Sequence, residues 1–60
     1  MWIYEYRNFD GSDFLPCGPY ASPEDAARDM QIHSDSYGDA VRGPRWVEER
    51  EMLGLLSRFA

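Results

Sequence analysis

Sixty residues with 11 acids against six bases, a net charge of −5, leave room for one small domain over residues 1–60 and nothing larger. A multi-domain enzyme is excluded, no apolar run approaches the roughly 20 residues of a membrane-spanning helix, and the single cysteine, Cys17, excludes an intramolecular disulfide. Leu, Ile, Val and Phe supply only 11 residues, but nine aromatic residues at roughly 150–250 Å² each bring enough apolar surface for a marginal folded domain.

Residues 2–9 alternate with period 2, the signature of a strand, with Trp2, Tyr4 and Tyr6 pointing one way and Ile3, Glu5, Arg7 and Phe9 the other. Asp10-Gly11-Ser12-Asp13 supplies a hairpin turn, Asp-Gly being suited to positive φ, and a second strand follows from Phe14 to Cys17. A two-residue loop pairs Tyr6 with Leu15 and a four-residue loop pairs Phe9 with Phe14. Both registers put Trp2, Tyr4, Tyr6, Leu15 and Cys17 on one side, the expected core face. Pro16 has no N–H to give a ladder, which places this strand at an edge or ends it early.

Gly18-Pro19-Tyr20-Ala21 reads as a connecting turn, and Ser22-Pro23-Glu24-Asp25 as a helix start: Ser as N-cap, Pro at the first position, acids against the positive dipole end. The helix presents Ala26, Ala27 and Met30 inward, with His33 extending that stripe, and pairs Glu24 with Arg28 on its surface. Ser34 to Asp39 is the helix exit and a loop, with Gly38 in a left-handed conformation. Early acids and the late Arg58 favour a last helix from about Arg45 to Arg58, with Trp46, Met52, Leu53, Leu56 and Phe59 on one face, Val47 and Leu55 flanking, and Gly54 marking a close approach. Arg45 to Glu48 alternatively forms a short third strand, with the helix beginning near Glu49. The expected fold is α+β: an N-terminal antiparallel hairpin packed by two helices, in the order ββαα.

No stretch carries a motif that names a reaction. His33, Ser34 and Asp35 have the residue types of a nucleophilic triad, but neighbours in sequence point in different directions. His33 near a helix C-terminus reads as a dipole-complementing residue, and Cys17 on an apolar strand face as a buried thiol. Asp35 and Asp39 do not fit a calcium loop. Neither a catalytic residue nor a metal or cofactor is expected, and the chain reads as a non-enzyme. Arg42-Gly43-Pro44-Arg45-Trp46 is too small a basic footprint for direct nucleic-acid binding. The N-terminus has neither the basic nor the apolar region of a secretory signal, and one cysteine fits a reducing cytoplasm. From Met1 to Ala60 the chain reads as a complete small open reading frame.

The charge is unevenly spread. Residues 10–39 hold seven acids against Arg28 alone, whereas the flanking segments are nearly neutral. Glu24, Asp25, Asp29, Asp35 and Asp39 are the candidate partner-binding residues, because carboxylates spaced along a helix and the next loop imitate the charges of a nucleic-acid backbone. In this concentration of acid within a short, motif-free chain the protein resembles the small acidic inhibitors of host nucleic-acid machinery that phages encode, of the anti-CRISPR and anti-restriction type. That resemblance implies a cytoplasmic, non-enzymatic inhibitor that obstructs a basic protein or ribonucleoprotein effector, with no direct contact to nucleic acid or membrane. The alternative is a general interaction or regulatory module using an aromatic face, working as a homodimer or capping a partner through residues such as Tyr20 or Tyr37.

Overall fold

The alternating N-terminal run forms β1 (Trp2–Arg7), the central strand of a three-stranded antiparallel sheet in the computed structural model, which describes residues 1–7, 11 and 13–57. β2 (Leu15–Tyr20) lies on one side of it and β3 (Ala40–Trp46) on the other. Between the outer strands runs α1 (Pro23–Tyr37), and α2 (Glu49–Ser57) closes the chain. The α+β class holds, but the order is ββαβα, not ββαα. Residues 40–46 form the third strand, so the long helix from Arg45 does not exist. Helix-start chemistry is local, and here it loses to ladder bonds and packing along the whole of β1, including an edge-to-face contact of Trp46 with Trp2 at 5.7 Å between centroids.

Tyr6 stands opposite Leu15 and Tyr4 opposite Cys17, the register of the shorter loop, although the turn at residues 8–10 and 12 lies outside the described residues. Pro16 sits on an edge strand, as a residue without an N–H should. Gly18-Pro19 is part of β2 and not a connecting turn. It occupies a bulge: β2 advances three residues between the partners of Tyr4 and Trp2, where β1 advances two. Gly43-Pro44 does the same on β3, between the partners of Ile3 and Glu5. Both Gly-Pro bonds are cis. A Cβ on Gly43 would meet the Tyr4 backbone at 3.2 Å, so glycine is what lets β3 press against the central strand.

The start and stop of α1 follow from its ends. Ser22 accepts a bond from the Asp25 N–H at 3.2 Å, Pro23 opens the helix, and Gly38 at φ 70° donates its N–H to Ser34. The helix therefore continues through Ser34 to Tyr37, one turn beyond the expected exit. Ala26 is fully buried, and having only a methyl group it lets α1 lie close over β1 and β3.

The sheet is covered on both faces, which corrects the expectation of a single core face. Tyr4 and Tyr6 meet α1, while Ile3 on the opposite face is completely buried against Val47 and Met52, with Met1 and Leu55 packed around them. Backbone bonds of 2.8 Å in both directions between Met1 and Val47 extend the β1–β3 ladder over this cluster. Of the apolar residues expected inside the last helix, Met52 is buried and Leu55 half-buried, whereas Leu53, Leu56 and Trp46 are exposed. Phe59 and Arg58 lie outside the described residues. Gly54 marks no close approach, since a Cβ there would meet open space.

Glu5 shares the Ile3 face and is only 3% exposed. It survives burial because its carboxylate accepts from Arg42 Nε (3.1 Å) and Nη2 (3.3 Å) and from Arg45 Nε (3.2 Å). Arg45 also reaches Glu51 of α2 at 2.9 Å, and Arg42 stacks on Phe14 with its guanidinium carbon 4.0 Å from the ring centroid.

Candidate functional site

The α1 layer brings together most of the acidic residues singled out above. α1 turns Ala26, Met30 and His33 toward the sheet and points Glu24 and Asp35 away from it, while Asp25 and Asp29 lie along one flank, Asp25 half-buried and Asp29 exposed. Glu24 and Asp25 occupy the first turn, where the helix dipole favours them. Arg28 pairs with Asp25 at 3.4 Å instead of Glu24, and both partners are well exposed, so the pair adds little stability. Asp29 accepts from the Tyr20 hydroxyl at 2.8 Å, and Asp35 from the Gln31 side chain at 3.0 Å.

Asp39 is placed differently. Its side chain is only 13% exposed and lies 2.9 Å from His33 Nε2, so it stands apart from the acids of α1. The left-handed Gly38 reverses the chain at the end of α1 and carries Asp39 back beside the last turns, under His33. His33 is held at both nitrogens, with its Nδ1 3.1 Å from the Tyr4 hydroxyl. An ionised carboxylate only accepts, so Nε2 donates to Asp39 while Nδ1 shares a hydrogen bond with the Tyr4 hydroxyl. The histidine thus joins β1, α1 and the segment leading into β3, a fuller role than complementing the helix dipole. Its carboxylate partner is Asp39, not the adjacent Asp35.

Around this histidine sits an aromatic group that the sequence reading did not assemble. The Tyr6 and Tyr37 ring centroids lie 4.4 and 5.1 Å from that of His33, and Tyr4 packs edge-on at 5.8 Å. Tyr6, His33, Tyr37 and Asp39 line an open cleft of about 390 Å³. Tyr37 is 75% exposed, the most open of the large hydrophobic side chains among the described residues. The signal for this grouping was Gly38: a left-handed stop one residue after Tyr37 is what returns the chain toward the helix.

Behind the cleft, burial pushes the Tyr4 phenol well above its ordinary value and also raises the Cys17 thiol. Tyr20 is pushed up to about 12 by burial and by its bond to Asp29. These groups are held in their neutral forms, the opposite of what activates a nucleophile. Among the described residues, no three His, Cys, Asp or Glu side chains converge as a metal site, and no helix is long and apolar enough to cross a membrane.

No protein-family model, curated protein or solved structure matches the chain. Its function has to be argued from the two features of the α1 layer, the acids of the helix and the aromatic cleft.

Proposed function

We propose that the chain is a non-enzymatic binding protein whose α1 surface docks on a basic, nucleic-acid-binding surface of a partner protein or ribonucleoprotein, and thereby inhibits it. The observation that carries this reading is the separation of charge between the two faces of the sheet. The outer side and flank of α1 hold Glu24, Asp25, Asp29 and Asp35 against one base, Arg28. On the other face, Arg42 and Arg45 are engaged with Glu5 and Glu51 and so leave the acidic side uncompensated. Asp25 and Asp35 are ten residues apart, about 15 Å along a helix rising about 1.5 Å per residue, so the acids spread over the flank and outer side of α1 span enough length to meet several cationic side chains. Crowding of like charges among them is relieved when a basic surface covers them.

The test is capture of partners from a host-cell lysate at low and high salt, followed by nucleic-acid binding assays on the captured protein. The chain should be displaced by salt and should compete with nucleic acid, and Asp25→Asn combined with Asp29→Asn should abolish both effects. Retention of full affinity by the double variant refutes the reading. A second reading, an interaction module working through apolar contact, draws on the exposure of Leu53 and Leu56 on the α2 side of the sheet. It requires binding or dimerisation that is insensitive to salt and lost in Leu53→Ser.

A further inference from the structure

We infer that the cleft between Tyr6 and Tyr37 is a receptor for a guanidinium group, the side chain of an arginine on the partner surface. The inference rests on the docking role proposed above and identifies the partner residue that anchors it.

Three independent features of the cleft select a flat cation. The first is aromatic: Tyr6 and Tyr37 flank His33, and the 75% exposure of Tyr37 leaves most of that ring uncovered. A cation within about 6 Å of an aromatic centroid is attracted to the ring quadrupole, and guanidinium stacks there more readily than ammonium. The second is the Asp39 carboxylate on the lining of the cleft. Asp39 reaches His33 through Oδ2, and a carboxylate has capacity for about four hydrogen bonds, so among the described residues its Oδ1 has capacity to receive an N–H from an incoming fork. The third is the helix end. The cleft sits at the C-terminus of α1, where the backbone dipole leaves partial negative charge, and the last turn of α1 contains no basic residue. Asp35 in that last stretch adds to the same field. A cation is the one kind of group that all three features favour, and the cleft volume of about 390 Å³ admits a guanidinium with its methylene stem.

The geometry also explains the embedding of His33. Bonded at Nδ1 by Tyr4 and at Nε2 by Asp39, its ring is fixed as the floor between the two tyrosines and keeps the carboxylate turned to the cleft. His33 is therefore a positioning residue, and the contacts to the ligand are made by Tyr6, Tyr37 and Asp39.

The experiment is a titration of the full chain with N-acetyl-arginine methylamide, followed by NMR of the tyrosine and histidine side chains. N-acetyl-lysine methylamide and sodium chloride at equal ionic strength are the comparisons. The arginine compound should give saturable shifts confined to Tyr6, His33 and Tyr37, with weaker binding of the lysine compound. Tyr37→Leu should weaken binding by about threefold, the size of one exposed cation–π contact. Asp39→Asn should weaken it by about tenfold, as expected for loss of a charge-assisted bond. Tyr37 is exposed, so its replacement reads out the contact without endangering the fold. Equal responses to the two amino-acid compounds, shifts that merely track ionic strength, or an unaltered titration in Tyr37→Leu would each overturn the assignment. Asp25→Asn with Asp29→Asn should leave the arginine titration unchanged. A silent titration beside acid-dependent partner capture removes the cleft assignment alone, and a saturable titration beside capture indifferent to those two acids removes the docking reading alone.

Discussion

Replacing Glu5 by Gln keeps the volume of the side chain and removes its charge. Three bonds from two guanidinium groups then lose their ionic acceptor at a position 4% exposed. Breaking a fully buried pair costs about 3–5 kcal/mol because a charge is stranded. Here the Arg42 and Arg45 side chains are 58% and 42% exposed and can rehydrate, and Gln still offers one acceptor. The loss should therefore be about 2 kcal/mol, within the range for hydrogen bonds to charged groups. For a 60-residue chain with a total stability of about 3–9 kcal/mol, that is a large fraction. With a urea slope of about 1 kcal/mol per molar, the unfolding midpoint at neutral pH should fall by about 2 M. The same network fixes the pH dependence. Burial alone would push the Glu5 carboxyl up, but the Arg42 bond and the Arg45 and Arg42 charges outweigh it and hold the group below its ordinary 4.5. A lowered folded value gives stability that is present above pH 4.5 and disappears as the pH falls through that folded value. Urea titrations of both proteins at neutral pH and at successively lower pH should thus show the gap closing below pH 4.5. A gap that is absent at neutral pH, or that persists undiminished into strong acid, would refute the claim that a charged Glu5 ties β1 to β3.

Two glycines should respond in opposite directions to alanine. Gly54→Ala places a methyl group in open space within a helix and should stabilise by about 1 kcal/mol, raising the thermal midpoint by about 4–8 °C. Gly43→Ala forces a Cβ to 3.2 Å from the Tyr4 backbone at φ +124° and should destabilise by about 2 kcal/mol in the same melt. Ser22→Ala removes the cap that holds the Asp25 N–H and should cost about 1 kcal/mol by urea unfolding, which Ser22→Asp should restore.

What could be read from the residues alone follows how local the controlling interaction is. The ends of α1 were legible because Ser22, Pro23 and Gly38 each act within a few residues of their own position. The Tyr6–Leu15 register was one of two that alternation allowed. A third strand was only an alternative, and was placed at Arg45–Glu48 where β3 runs Ala40–Trp46, because Pro44 and the acids after it satisfy helix-start preferences and the pairing with β1 that overrides them spans about forty positions of sequence. Glu5 was placed with Ile3 on the side away from the expected core face, and nothing near it in sequence announces Arg42 and Arg45. Of the five acids chosen for binding, Glu24, Asp29 and Asp35 are exposed on α1 and Asp25 is half-buried on its flank, whereas Asp39 turned inward through a reversal set by Gly38. Tyr6 entered the cleft unannounced, because alternation names the face a residue takes and not which helical residue will cover it.

The bulged strands on either side of β1 carry Pro16 and Pro19 on one flank and Pro44 on the other, residues that have no N–H to offer an approaching chain. A fourth strand would find both margins of the sheet short of donors. Recognition by main-chain pairing, which tolerates almost any peptide, is thereby disfavoured, and contact with another molecule falls more to side chains. The surface of such a protein can be rewritten one residue at a time, with the sheet beneath it unchanged.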